Sequence, residues 1–152
     1  MTTYKSAAAR VMSDELFEKV RRRSNLIPYL THLGIELLEC GEGWVTMKMA
    51  FRPEFLQPSV IHGGAVYSLA DASAAHALLT LVASDEPIAT VEQHINFLAG
   101  VACQDLYCEA KIIRFGRTLS YAEATVTSDS GMLVAKSGAT LMRRRNLSSK
   151  SE

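Results

Sequence analysis

The feature that most limits how this chain can fold is a long run, residues 63–83, in which only Asp71 and His76 can carry a charge. The run approaches the length of a membrane span. However, most of its apolar residues are alanine, and a central aspartate opposes membrane insertion by about 2.5–3.5 kcal/mol. A helix that is apolar on every side packs inside a protein. We therefore predict a buried helix that starts near Gly63 and ends at residues 85–87, and no membrane partner.

Charge and cysteine content exclude several classes of protein. Sixteen Lys plus Arg residues balance sixteen Asp plus Glu residues, so the chain lacks the basic surface that binds nucleic acid. The three cysteines form no CxxC pair and the four histidines show no ligand spacing, which indicates neither a disulfide framework nor a metal site. The N-terminus lacks the apolar core of a secretory signal. We expect a cytoplasmic protein that binds neither metal nor nucleic acid.

Hydrophobic spacing divides the chain into three segments. Residues 1–32 contain a short surface helix with Ser13 as its N-cap. Residues 33–142 contain a hairpin, a loop over 52–61, the buried helix and four further strand-like runs, without alternation of strand and helix. Residues 143–152 are predicted to be a basic, disordered tail. The order of elements predicts one α+β domain in which antiparallel strands pack against a single long helix.

The start of the buried helix is the best candidate for chemistry. Glycines in the sequence His62-Gly63-Gly64 would leave outward-pointing backbone amides open to a ligand, although they could equally serve only the turn into the helix. A buried Asp71 is typical of a working site, or of a carboxylate that backbone or an arginine satisfies. Gly63 and Asp71 are roughly 12 Å apart along a helix. They could therefore act on one carbonyl only if two antiparallel helices lie side by side in a dimer.

The run IHGGAVYSLAD, residues 61–71, resembles the His-Gly-Gly to Asp signature of the hotdog-fold acyl-CoA thioesterases, in the phenylacetic-acid-degradation branch. TVEQHINFLAG is similar to that family's central strand, and IIRFGRTLSYAEATV with GMLVAKSGATLM to its last three strands, so the resemblance covers residues 33–142. It implies the hotdog fold, in which a curved antiparallel sheet wraps a long central helix. It also implies dimers joined edge to edge, usually paired into homotetramers, and hydrolysis of an acyl-CoA without a cofactor, because coenzyme A is part of the substrate.

The same resemblance implies roles for individual residues. Asp71 would act on the thioester carbonyl as general base for a water or as a nucleophile, and the Gly63 amide would polarise the carbonyl oxygen. His62 would orient the loop. Thr90 matches a position where the family often carries a hydroxyl that helps to hold the attacking water, although a strand threonine chosen for β-propensity is the other interpretation.

One position departs from the family pattern. Many relatives carry an Asn six residues before the histidine, where this chain has Leu56. A one-residue deletion in the loop would let Gln57 supply that amide, but Gln57 could equally be a solvated loop residue. The segment 114–118 matches the place where family members often bind the pantetheine and phosphates of coenzyme A, and arginine suits phosphates. Arg114 could equally belong to a basic turn that faces solvent. The substrate-binding residues implied for coenzyme A are Gly64, Gly116, Arg117 and Thr118. The basic runs 21–23 and 143–145 are expected at the surface.

Two other functions remain open at this point. A hotdog domain could bind acyl-CoA without turning it over, because a fold does not establish catalysis. Hotdog dehydratases and hydratases share the fold, but their His-with-Asp or His-with-Glu spacings are absent from this chain. His76 is expected to be a core histidine with one hydrogen bond, or else to line a pocket. The acyl group stays undetermined among aryl-acetyl, benzoyl-type and fatty acyl groups.

Overall fold

The computed structural model describes residues 12–144. Two helices, α1 (Asp14–Asn25) and α2 (Pro28–Leu33), precede the sheet. The Ser13 hydroxyl accepts a hydrogen bond from the Leu16 amide at 3.3 Å, which confirms the predicted N-cap of the first helix. Both helices pack against the first strand of the sheet and cover that edge.

Six strands form one antiparallel sheet, in which neighbours pair in the order β1-β2-β6-β7-β8-β5. The predicted hairpin and the four later strands are confirmed. The segment predicted as a loop also contains a 3-10 turn (Pro53–Phe55) and a ladder of two very short strands, β3 (Leu56–Gln57) and β4 (Val60–Ile61). The long strands are β1 (Ile35–Gly41), β2 (Trp44–Met49), β5 (Ile88–Phe97), β6 (Leu106–Arg114), β7 (Leu119–Ser128) and β8 (Leu133–Arg143).

The third helix, α3 (Gly63–Leu79), packs against the inner face of this sheet, mainly on β2, β6 and β7. The alanine-rich sequence lets the helix approach the strands closely. Side chains buried in this layer include Leu69, Ala70, Ala74 and Leu78. The predicted start of the helix and the predicted α+β architecture are confirmed.

The predicted end of the helix, at residues 85–87, is wrong, because α3 stops at Leu79. The next residue, Thr80, fastens the chain to the β1–β2 turn: its hydroxyl donates to the Ala77 carbonyl and accepts from the Gly43 amide, both at 2.7 Å. This tertiary contact ends the helix although the apolar sequence continues.

Among residues 12–144, strand β5 lies at an edge of the sheet and pairs only with β8, so it is not a central strand in this part of the chain. The register shifts between Thr90 and Glu92, which leaves Val91 as the extra residue of a β-bulge. Val91 and Phe97 are 57% and 54% exposed. An uncovered edge strand with large apolar side chains is the kind of surface that another chain covers.

Two arginines expected at the surface instead hold the connection between α3 and β5. The Arg143 guanidinium donates to both carboxylate oxygens of Glu86 at 2.6 and 3.0 Å, and both side chains are more than nine-tenths buried. Arg23 donates to the carbonyl oxygens of Ser84 and Glu86 at 3.0 and 2.9 Å.

Arg143, the first residue of the predicted tail, is the last residue of β8. Residues 145–152 of that tail, and residues 1–11 of the N-terminal segment, lie outside the described residues. Between residues 12 and 144, no helix is both long enough and apolar enough to cross a membrane.

Candidate active site

The one carboxylate of α3 lies on the side of the helix that faces edge strand β5. The Thr90 hydroxyl donates a hydrogen bond of 2.7 Å to Asp71 Oδ1, so two residues singled out from the sequence are in direct contact. Asp71 is half-buried rather than fully buried as predicted, because the chain's own sheet does not cover this side of the helix. Its other carboxylate oxygen is therefore available to a water or a substrate.

The first turn of α3 presents one open amide. His62 is the N-cap, and its Nδ1 accepts a hydrogen bond of 2.8 Å from the Gly64 amide. The Gly63 N–H has no acceptor among residues 12–144. The His62 ring thus occupies one of the free donors at the helix N-terminus and leaves the Gly63 amide pointing outward, as a carbonyl-polarising group requires.

A cavity of about 340 Å³ opens next to this amide and is lined by both Gln57 and Gly63. The aromatic ring of Phe97, at the end of β5, forms part of its wall and would lie 3.1 Å from a Cβ added at Gly63. Only glycine therefore fits here without displacing the ring. The structure places Gln57, which is exposed, on the same cavity as Gly63. The resemblance assigned the carbonyl oxygen to Gly63, and to Gln57 only if the loop is one residue shorter than in the relatives.

The two halves of the predicted site are separate within one chain. Gly63 and Gln57 lie at the start of α3, and the Asp71–Thr90 pair lies two helical turns further on, roughly 12 Å along the axis. Contacts between α3 and β5 follow one line: Gly63 meets Phe97, Tyr67 donates to the Gln93 carbonyl at 3.3 Å, and Asp71 accepts from Thr90. Tyr67 is 36% exposed and Asp71 is half-buried, so the surface along this line of contacts is open to solvent, and we refer to it as the groove.

The loop between β6 and β7 carries the residues assigned to coenzyme A. Its glycine is required by packing, because a Cβ at Gly116 would lie 2.0 Å from the Leu119 carbonyl oxygen. The Gly116 amide donates to the Ser120 hydroxyl at 3.2 Å. Arg117 and Thr118 are exposed, and the loop is as open as a phosphate contact needs.

Sequence reasoning missed one polar side chain in the groove and left the role of another undecided. Gln93, on β5, has both amide atoms buried without a hydrogen-bond partner among the described residues. His76 is 1% exposed, and its Nδ1 lies 2.7 Å from the Ala72 carbonyl oxygen, so Nδ1 carries the proton. Its Nε2 has no partner among residues 12–144. Because β5 also carries Glu92, His94 and Asn96, no signal in the sequence distinguishes Gln93 from a solvated residue.

Within the described part of the chain, no three His, Cys, Asp or Glu side chains lie close enough together to hold a metal ion. Burial raises the pKa of the Cys108 thiol to about 12 and also raises the pKa of Cys40, so neither is an available nucleophile. The polar groups that the described residues place along the groove include the Asp71 carboxylate, the Thr90 hydroxyl and the Gly63 amide.

Comparison with known sequences gives one family match. The family described as Thioesterase superfamily matches residues 59–135, from the loop before α3 into β8. A protein named as a putative esterase of Haemophilus influenzae is 26% identical over 113 residues, which are 74% of this chain and 82% of that protein.

Solved structures share the arrangement of helix and sheet. A thioesterase family protein from Silicibacter pomeroyi superimposes with a TM-score of 0.80 at 27% identity, covering 86% of this chain and 99% of that one. The E. coli PaaI protein from the phenylacetic acid degradation operon superimposes with a TM-score of 0.81 at 20% identity, covering 90% and 98%. The second likeness shows the fold alone.

Proposed function

The chain belongs to the thioesterase superfamily and is by class a thioester hydrolase, and we propose that it hydrolyses an acyl-CoA to a free acid and coenzyme A. The family match and the structural neighbours confirm the predicted family and its hotdog fold. The observation that carries the proposal is the 2.7 Å hydrogen bond between Thr90 and Asp71 in a groove open to substrate. We place this reaction in the cytoplasm.

The complete site belongs to a homodimer in our proposal. No other segment of the described residues covers the edge of strand β5, and the half-exposed side of α3, with Tyr67 and Asp71, lies beside it. Two copies joined antiparallel along β5 would cover Val91 and set the two α3 helices side by side. The Gly63 amide and Gln57 of one subunit would then face the Asp71–Thr90 pair of the other, and two dimers would form a tetramer.

The reaction needs only a base, an oxyanion donor and water. With Asp71 as general base, the carboxylate takes a proton from water as the water oxygen bonds to the thioester carbon, and the Gly63 amide stabilises the developing oxyanion. The intermediate collapses, the carbon–sulfur bond breaks, and the leaving thiolate takes the proton from Asp71. The Thr90 hydroxyl donates a hydrogen bond to Asp71 and can accept one from the attacking water. These two hydrogen bonds hold the water oxygen toward the thioester carbon.

Asp71 as nucleophile gives the same products through two steps. The carboxylate would displace the thiolate to form a mixed anhydride, and water would then hydrolyse the anhydride. A single turnover in ¹⁸O-water separates the two routes, because only the anhydride route can leave ¹⁸O in the Asp71 carboxylate.

Coenzyme A fits the exposed loop between β6 and β7. The planar guanidinium of Arg117 can donate two parallel hydrogen bonds to a phosphate, and the Thr118 hydroxyl can form another. Because the Gly64 amide is occupied by His62, Gly64 contributes space for the pantetheine rather than a hydrogen bond. Charge reversal in Arg117→Glu is expected to raise KM for acyl-CoA with little change in kcat.

The first experiment measures thiol release from a panel of aryl and aliphatic acyl-CoAs. Asp71→Asn is expected to lower kcat at least about 100-fold, the usual contribution of a general base, whereas the exposed Asp85→Asn keeps wild-type activity. Full activity in Asp71→Asn would refute the assigned mechanism. Tight acyl-CoA binding without turnover of any substrate by wild type would instead identify a non-catalytic binding protein.

A mixing experiment tests the shared site. Gly63→Pro removes the amide proton at the first helical position, where the backbone tolerates proline, and His62 already has the extended conformation, ψ 135°, that precedes proline. The added Cβ requires the exposed Phe97 ring to move by a few tenths of an ångström. Asp71→Asn and Gly63→Pro are each expected to be inactive as homodimers. Their mixed dimers contain one intact site, so equimolar refolded mixtures should recover about a quarter of wild-type activity. No recovery would place the whole site within one chain.

A further inference from the structure

The loop between β6 and β7, residues 115–118, rests on one buried side chain at the end of β8. The guanidinium of Arg143 lies over the ring of Phe115, with 4.7 Å between the guanidinium carbon and the centre of the ring. The backbone amide of Arg143 donates a hydrogen bond of 2.9 Å to the Thr118 carbonyl oxygen. Arg143 therefore contacts both the first and the last residue of this loop.

The Arg143 side chain is itself held in place. Glu86 accepts two hydrogen bonds from the guanidinium, at 2.6 and 3.0 Å, and this bidentate geometry fixes the plane of the guanidinium. Both side chains are more than nine-tenths buried. The backbone of Glu86 is also held, because its amide donates to the Ala83 carbonyl at 3.1 Å and its carbonyl accepts from Arg23 at 2.9 Å. The guanidinium is therefore a fixed support for the Phe115 ring.

The residues assigned to coenzyme A lie within the part of the loop that these contacts hold. Arg117 and Thr118 are exposed, and a phosphate that binds here must order the long arginine side chain. When the backbone is already fixed, only that side chain remains to be ordered, which favours binding. The position from which Arg117 reaches a phosphate therefore depends on contacts made at residues 115 and 118.

We propose that Arg143 is a positioning residue for coenzyme A: by holding both ends of the loop, it keeps the Arg117 guanidinium where it can meet a phosphate of the substrate. The inference rests on the proposed thioesterase function and adds to it a residue that acts through the loop without touching the substrate. Its effect is on substrate binding rather than on the chemical step. It therefore changes KM for acyl-CoA and leaves kcat unchanged.

Two thioesters with the same acyl group separate this role from a general loss of structure. We would measure kcat and KM for a good acyl-CoA substrate and for the matching acyl-pantetheine, which lacks the phosphates and the adenosine. Arg143→Lys keeps a positive charge opposite Glu86 but loses the bidentate geometry and the stacked contact. It is expected to raise KM for acyl-CoA about three- to tenfold, within the contribution of a hydrogen bond to a charged group, with kcat and both constants for acyl-pantetheine unchanged. Equal increases in KM for the two thioesters would overturn the proposal.

A second variant tests the same contact from the loop side, even if Arg143→Lys fails to fold. Phe115 is 46% exposed, so Phe115→Leu removes the aromatic face and leaves the buried ion pair in place. We expect the same selective rise in KM for acyl-CoA. The control is Asp105→Asn, which breaks the 2.9 Å ion pair with Lys48 at the other end of β6 and should leave both KM values unchanged. An unchanged KM for acyl-CoA in Phe115→Leu would also overturn the proposal.

A double-variant cycle tests whether Arg143 acts through Arg117. Arg117→Ala alone is expected to raise KM for acyl-CoA. Phe115→Leu or Arg143→Lys, added to Arg117→Ala, should raise KM no further, because the side chain that they position is already gone. A further rise in the double variant as large as that in the single variant would show an independent effect and would refute the assigned role.

Failure of this inference differs from failure of the proposed function. If acyl-CoAs are turned over and Asp71→Asn abolishes that turnover, the thioesterase assignment holds whatever the effect of Arg143→Lys. If no acyl-CoA is turned over, both the function and the inference that rests on it fail.

Discussion

The buried ion pair between Glu86 and Arg143 gives a sharp prediction for stability. Glu86→Gln keeps the shape of the side chain but leaves the Arg143 guanidinium buried without its counter-charge. Loss of one member of a buried pair destabilises a protein by about 3–5 kcal/mol. Here the new amide oxygen still accepts one hydrogen bond, and the guanidinium still stacks over the Phe115 ring at 4.7 Å. We therefore expect a loss of about 2–3 kcal/mol.

The assay is urea unfolding at one fixed protein concentration, followed by circular dichroism, with thermal unfolding as a second probe. A loss of this size in a domain of 152 residues corresponds to a Tm lower by about 4–12 °C. The double variant Glu86→Gln/Arg143→Met should recover at least half of the loss, because no unpaired charge remains. Glu18→Gln, in an exposed pair with Arg21, is the control and should match wild type. A single variant as stable as wild type, or a double variant no better than the single, would refute the reasoning.

Three further predictions concern acid stability, thiol reactivity and packing. Hydrogen bonds from Lys48 and a backbone amide lower the pKa of Asp105, so the stability that this carboxylate contributes is present above about pH 4 and is lost as pH falls. In Asp105→Asn, the free energy of unfolding should therefore depend less on pH between about pH 5 and 2 than it does in wild type. Under native conditions at pH 8, a thiol reagent should modify only Cys103 of the cysteines, with all of them reacting in denaturant, as mass spectrometry would show. Gly116→Ala should destabilise the protein by about 1–3 kcal/mol in urea unfolding, because its Cβ meets the Leu119 carbonyl; unchanged stability would mean that the loop rearranges freely.

Local patterns predicted most of the fold correctly. Alternating residues and turn glycines identified the strands, and the glycines after His62 identified the start of α3. The end of α3 could not be predicted in this way, because the apolar run continues through Val82 and the helix stops where Thr80 bonds to Gly43, residues far apart in sequence. A tertiary contact of this kind leaves no pattern in the neighbouring sequence from which it could be predicted.

The sequence likewise predicted only part of the candidate site. The resemblance singled out Asp71 and Thr90, but only the structure shows that they are in contact. The sequence did not predict the ion pair between Glu86 and Arg143, because a charged residue does not indicate where in the chain its partner lies. Gln93 was missed because a glutamine in a strand with several other polar residues is indistinguishable from a solvated residue until the fold shows its amide buried.

Val91, the extra residue of the bulge, determines which side chains of β5 face α3. Thr90 and Phe97 both face α3, although seven positions separate them and strict alternation would put them on opposite faces. The bulge absorbs the odd step, so both ends of the groove share one face. Deletion of Val91 would turn either the hydroxyl beside Asp71 or the ring beside Gly63 to the outer side of the sheet. A change of length at this one position would therefore change the chemistry of the groove.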